Sequence, residues 1–151
     1  MVVTLVYLAY QVRQNTNALR AASRQEVVAG MRQHVALRLA HPSGAYVAGL
    51  RRFPDLPEEE REEFSMLIGD LALFMQGAFA LHESGTLDDE TWRAYLDFFA
   101  SALATPGGAA WWELIGRPIY VNRMVKAVDA RLSEGDVFDA LALFEELSPT
   151  A

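Results

Sequence analysis

The chain has 151 residues, 52% of them apolar, and a net charge of −7. It is long enough for one domain with a real core and too apolar for a disordered tail. The acidic balance argues against nucleic acid as a partner of the whole chain, because phosphate binding needs a cationic surface, and leaves the basic N-terminal segment as the part that could face phosphates of lipid or nucleic acid. The absence of cysteine excludes disulfides, thiolate zinc sites, iron–sulfur clusters and cysteine nucleophiles.

Charge is divided along the chain. Up to Phe53 there are seven arginines against one acid, Glu26; from Pro54 onward there are 19 acids against six bases. Met1 to Val12 (MVVTLVYLAYQV) is almost wholly apolar, and Arg13, Arg20, Arg24, Arg32 and Arg38 follow it. An apolar stub ahead of arginines reads as the cytoplasmic end of a membrane-spanning helix. A full span needs about 20 apolar residues; the stub is about 60% of that, roughly 18 Å of helix. A secretory signal would carry its positive charge before the apolar run. Three readings stand: the last half of a membrane helix whose start lies outside this chain, the buried end of a long first helix, and a helix lying in a membrane interface. The third fits least, since the stub has no polar face. Residues 1–14 are therefore set apart as an apolar stub, a truncated anchor or oligomer contact. Residues 15–151 form a single helical domain.

The rest predicts helices punctuated by proline and glycine. Helix one runs from the start to about Ala40. Leu19, Ser23, Val27, Gly30, His34 and Leu37 recur at spacings of four and three and share a face. Arg13, Arg20, Arg24 and Arg38 line another. The Asn15-Thr16-Asn17 patch is a place for a kink or cap. His41-Pro42 ends the helix, and a short one follows from Pro42 to Arg52. Pro57 and Glu58-Glu59-Glu60 open a helix running to about Ser84, with Gly85 as its left-handed cap. Its middle, Phe64 to Leu81, is apolar nearly all round, which suits the central helix of a bundle or a second membrane span. The acidic first turn and Asp70 favour the bundle. Asp88 caps a helix to about Ala104 with Trp92, Tyr95, Leu96 and Phe99 inward. Thr105 and Pro106 start a short helix through Ile115, and Gly116-Arg117-Pro118 breaks it. Ile119 to Ser133 is the next helix, stopped by Gly135. Asp136 caps a last, acidic helix to Leu147 with Val137, Leu141, Phe144 and Leu147 inward, and Ser148-Pro149 ends it. The fold class is all-α, a single bundle of five to seven helices with a long N-terminal helix. Leu67, Leu71, Phe74, Ala78, Leu81, Trp92, Leu96 and Phe99 are its expected core.

The stretch VVTLVYLAYQVRQNTNALRAASRQ resembles the start of a large group of uncharacterised small bacterial proteins. Their anchor ends in a Leu-Tyr-Leu-Ala-x-Gln-x-Arg-x-Asn-Thr pattern, matched here from Leu5 or Leu8 through Thr16. Gly85 to Trp92 is similar to that group's Gly-x-Leu-Asp-x-x-x-Trp step, and Pro106 to Trp112 to its Pro-Gly-x-x-x-Trp-Trp step. The resemblance covers roughly residues 1–130 and implies an N-terminal anchor and a helical domain. It brings no reaction, ligand or catalytic residue. The chain differs from the group in a shortened anchor and an added acidic helix after Gly135.

Chemistry-bearing residues are few. No His-Glu-x-x-His, Walker loop, Gly-x-Gly-x-x-Gly or Gly-x-Ser-x-Gly motif occurs, so no cofactor, metal or catalytic set is assigned. His34 and His82 meet only if their helices pack antiparallel; a core histidine or a dipole partner is the simpler account. Asp70 and Gln76 interrupt the apolar helix, and a buried carboxylate needs a partner, for which Arg32, Arg38 and Arg123 are candidates. Asp70, Gln76, His34 and His82 are thus the candidate ligand pocket. Arg13, Arg20, Arg24 and Arg38 are the candidate contacts to anionic lipid. Trp111, Trp112 and Tyr120 suggest an aromatic wall, although adjacent residues diverge by about 100°, so one tryptophan is expected in the core and one at a surface. The Gly107-Gly108 helix start and the Glu58–Glu63 run carry no specific signal. Three functions remain. The first is a non-catalytic binding or scaffold module on the cytoplasmic side of a bacterial inner membrane, with an unknown protein partner. The second is an enzyme or small-ligand protein using Asp70 with His34 or His82. The third is a soluble cytoplasmic helical protein, a homo-oligomer through Met1–Val12.

Overall fold

The computed structural model describes residues 2–41 and 44–147, with side chains from Thr4 to Phe144. The fold is an all-α bundle, and no strand occurs among the described residues. Met1, the Pro42 helix start and the Ser148-Pro149 stop lie outside the described residues, as does the side chain of Leu147.

Helix α1 (Val2–Ala40) is continuous through Asn15-Thr16-Asn17, where the Thr16 hydroxyl donates to the Val12 carbonyl at 2.9 Å. Helix α2 (Ala45–Arg52) passes through a 3-10 turn at Phe53–Asp55 into α3 (Glu58–Glu83). Helix α4 (Asp89–Leu103) opens on Asp88, whose carboxylate accepts from the Thr91 amide at 2.9 Å. Helix α5 (Pro106–Trp111) opens on Thr105, whose hydroxyl accepts from the Gly108 amide at 3.1 Å. Gly85 and Gly135, at φ 74° and 75°, follow α3 and α7 (Asn122–Glu134) in the left-handed conformation only glycine adopts freely.

Two boundaries differ from expectation. The chain does not stop at Gly116-Arg117-Pro118. It widens into a π-turn over Trp112–Gly116 and continues into a single turn, α6 (Arg117–Ile119), before Tyr120 and Val121 become extended. Pro118 is the second residue of that turn. The last helix, α8 (Ala140–Leu147), is capped by Asp139, not Asp136: the Asp139 carboxylate accepts from the Leu141 and Ala142 amides at 2.8 and 3.1 Å. The Asp136 carbonyl instead accepts from the Arg131 guanidinium.

Helix α3 is the central element and packs against α1, α2 and α4. Phe64, Leu67, Ile68, Leu71, Ala72 and Met75 are fully buried along it. It is also the one helix among the described residues long and apolar enough to cross a membrane. The two halves of the chain meet where α2 crosses α5. A Cβ on Gly107 would lie 1.7 Å from the Gly49 carbonyl oxygen, so the two backbones touch. Of the expected core, Leu67, Leu71, Ala78, Trp92, Leu96 and Phe99 are buried. Phe74 and Leu81 are half-buried, because both edge the groove between α1 and α3 rather than the interior.

Helix α8 packs back on the bundle. Its Phe144 ring stands edge-on to Tyr46 of α2 at 5.9 Å between centroids, and the Arg38 guanidinium lies 4.0 Å from the Tyr46 centroid and 4.8 Å from that of Phe144. Arg38 is therefore a cation held on two rings rather than a free surface charge. Burial raises the Tyr46 hydroxyl above its usual pKa, and the Arg38 charge draws it only part of the way back.

Candidate functional site

Two places in the molecule have features that packing alone leaves open. The first is the N-terminal half of α1. The body holds this helix only from Ser23 onward: Ser23, Val27 and His34 are buried, at intervals of four and seven residues. Every residue from Thr4 to Ala22 is exposed. Residues 2–22 thus leave the body as a helical arm of about 31 Å at 1.5 Å per residue. Leu5, Val6, Tyr7, Leu8, Tyr10 and Val12 are each at least half exposed. Leu19 has the spacing of the buried stripe but is 59% exposed, because the body ends one turn below it. Arg13 and Arg20 are exposed on the arm. Arg24, at its base, forms an ion pair with Asp88 at 3.0 Å that ties α1 to the start of α4. The Thr91 amide and hydroxyl, then Arg24, hold the Asp88 carboxyl down at about 2, against an ordinary 3.8.

The second place is the α1–α3 contact. His34 Nδ1 donates to Asp70 Oδ2 at 2.8 Å. His34 is 2% exposed and Asp70 one-third exposed. Asp70 therefore takes its partner from His34 and not from an arginine: Arg38 lies on Tyr46 and Phe144, Arg32 is exposed, and Arg123 pairs with Glu83 of α3. The other ring nitrogen, Nε2, faces away from the carboxylate. It is buried and has no hydrogen-bond partner among the described residues. A general base must reach the proton it takes. Nε2 is shut off from solvent, and the pair joins α1 to α3.

The other members of the expected pocket are elsewhere. Gln76 and His82 follow Asp70 on the same helix by about 9 and 18 Å. The Gln76 side-chain oxygen accepts from the Val121 amide at 3.1 Å and holds the extended link between α6 and α7. His82 stacks on Trp92 at 5.4 Å between centroids, with Nδ1 3.7 Å from Asp89. Of the four, His34 and Asp70 meet, whereas Gln76 and His82 have other partners.

The aromatic wall is closed as well. Trp111 and Trp112 are both buried, at 1% exposure. The 100° divergence of neighbours points one toward Gly69 of α3 and the other between Phe99 of α4 and Asp129 of α7, so both sides of this short helix are interior. Trp112 donates its indole N–H to Asp129 at 2.9 Å and stacks on Tyr120, whose hydroxyl donates to the Gly69 carbonyl at 3.0 Å. Burial first, then the nearby Asp70 charge, raise the Tyr120 pKa. Gly116 is required where the π-turn closes, since a Cβ there would lie 2.2 Å from the Trp112 ring. Arg117 adds a second tie to Asp129 at 3.1 Å.

Reading the sequence alone missed Arg131, which is 4% exposed. Its Nε donates to Asp97 of α4, and its terminal nitrogen to the Asp136 carbonyl on the path to α8. Nothing in local spacing marks it, because the partners lie 34 residues before and 5 after. Among the described residues no group of three His, Asp or Glu side chains is placed to hold a metal ion. The class defined so far is an all-α bundle with a projecting, partly apolar helical arm. No protein-family model, curated protein or solved structure matches the chain.

Proposed function

We propose that the chain is a non-catalytic binding module held on the cytoplasmic side of a membrane by the arm of α1, with the bundle as the part that meets a protein partner. The observation that carries this reading is the exposure of Thr4–Val12. A run of six large apolar side chains outside the body has no reason to remain in water. Arg13 and Arg20 follow within two turns, where the positive-inside rule places cytoplasmic flanks, and each arginine near an anionic surface is worth about 1 kcal/mol. Residues 2–12 cover about 16 Å, half of a hydrocarbon core of about 30 Å. The packing of α3 against α1, α2 and α4, with Phe64, Leu67, Ile68, Leu71, Ala72, Met75 and Ala78 buried, supports giving the membrane role to the arm and not to that helix.

Flotation of the full chain with liposomes tests the reading. Neutral vesicles should capture some protein, vesicles with an anionic lipid should capture more, and salt should reduce only the excess. Deleting residues 2–12 should abolish capture by both. Full-length protein that stays with the soluble fraction in the presence of anionic vesicles would overturn the proposal.

A further inference from the structure

A membrane covers the apolar tip of the arm but leaves its lower half unexplained. Leu19 stands 59% exposed on a stretch that also carries Arg13, Gln14, Asn15, Asn17 and Arg20, too polar for lipid. One stripe of the arm accounts for both halves. Leu5, Leu8, Val12, Asn15, Leu19 and Ala22 succeed one another at intervals of 3, 4, 3, 4 and 3, the period of a two-helix seam, and all six are exposed. We propose that this stripe is the contact with a second copy of the same chain, the two arms pairing as a parallel, in-register coiled coil.

Charge favours a second copy over another partner. The positions beside the seam, Thr4, Ala9, Gln11 and Thr16 among them, are uncharged, and Arg13, Arg20 and Arg24 fall on the outer side of each helix. Two identical arms therefore meet without opposing like charges. A basic or acidic partner helix would find no complementary charge beside the seam. The seam has one strongly polar member, Asn15. Its side-chain amide is both donor and acceptor, so it is satisfied by its own counterpart when the copies are parallel and in register.

The geometry also leaves room. The buried stripe of Ser23, Val27 and His34 is centred about 100° round the helix from the seam, with Ser23 on the edge nearest to it. Continuing the stripe past Ala22 leads to Glu26, which would face its own copy, and there the pairing ends. The arm needs this cover even away from lipid. It is rich in Val, Thr, Tyr and Asn, which are modest helix formers, and most helical stability in proteins comes from packing of one face, which the arm lacks.

The chain has no cysteine, so single cysteines report the seam directly. Leu8→Cys and Ala22→Cys should each give an intermolecular disulfide under mild oxidation. Tyr10→Cys and Asn17→Cys, on the outer side of the same turns, should stay reduced. The pattern should be the same in buffer and with neutral vesicles present, which separates pairing from membrane attachment. Light scattering of the unmodified chain should give twice the 16.8 kDa of one copy. The double variant Leu8→Glu/Val12→Glu should fall to one copy with an unchanged melting temperature, because neither side chain touches the body. Equal cross-linking at seam and outer positions, cross-linking at neither, or a parent mass other than that of two copies would each overturn the proposal.

Discussion

The His34–Asp70 pair yields the sharpest test of whether the bundle contains chemistry or structure. Its partners are unequal: His34 is 2% exposed and Asp70 33%. Asp70→Ala strands the Nδ1 donor in a dry site beside Nε2, which already has no partner among the described residues. A stranded buried donor costs about 1–3 kcal/mol. His34→Leu does the opposite. It removes the ring, fills similar volume with an apolar side chain, and leaves a carboxylate that water can reach. The expected loss is below about 1 kcal/mol, since replacing a buried polar group by an apolar one of similar shape is close to neutral. The acidic partner is therefore the costlier one to remove, although it is the more exposed.

Urea unfolding of the parent and both variants measures this. With a slope of about 2 kcal/mol per molar urea, Asp70→Ala should lower the midpoint by about 0.5–1.5 M, and His34→Leu by less than about 0.5 M. The slopes should match, since neither change alters the surface exposed on unfolding. If His34→Leu proved the more damaging at equal slope, the burial argument would fail.

Three other outcomes follow from the same contacts. Gly107→Ala drives a Cβ into the Gly49 carbonyl and should destabilise by at least the 1–3 kcal/mol typical of overpacking (about), whereas Gly77→Ala, with nothing within 4 Å, should stabilise by roughly 0.5–1 kcal/mol; differential scanning calorimetry should show melting shifts of opposite sign. Because Asp88 is held at about 2 against an ordinary 3.8, its contribution to stability is complete above about pH 4 and is lost as the pH falls through about 2; an NMR titration of its carboxyl carbon should place the midpoint below those of exposed aspartates, and Thr91→Val should raise it. Ending the chain after Ser133 uncovers Tyr46 and removes the carbonyl bound by Arg131, so it should cost at least about 2 kcal/mol and lower the melting temperature by about 4–8 °C.

The fold was legible where a local rule decides the backbone. Asp88 and Thr105 cap their helices as their sequence contexts predict, and Gly85 and Gly135 take the left-handed turns that other residues resist. The apolar density of Phe64–Leu81 identifies the central helix because that helix packs against α1, α2 and α4 at once. Legibility failed where the answer depends on what lies opposite. Trp111 and Trp112 read as one inside and one outside because a helix on a bundle surface has an outer face. Here α7 covers that face, and the Trp112 bond to Asp129 crosses 17 residues. Asp70 read as an arginine's partner because opposite charge is the strongest one-dimensional signal. Its true partner, a histidine 36 residues away, is set by the α1–α3 contact. The π-turn at Trp112–Gly116 depends on Gly116 passing against the Trp112 ring, a contact that glycine permits but does not announce.

Helix α1 shows why periodicity needs a partner before it has meaning. Leu19, Ser23, Val27, Gly30, His34 and Leu37 share one spacing, yet the structure buries only the members that the body reaches. On the arm, a second stripe of the same period takes over, offset by about a quarter turn. The two stripes make one continuous helix serve two contacts. The lower half is fixed to α3 by His34 and to α4 by Arg24, and the upper half carries its apolar side chains clear of both. Residues 13–22, about 15 Å of helix, lie between the apolar tip and the body, and their arginines point away from the seam. A rigid spacer of this kind sets both the height of the bundle above whatever holds the tip and its rotation about α1. Changing the spacer by a whole heptad would preserve the face that the bundle presents, whereas a change of two or three residues would turn that face away.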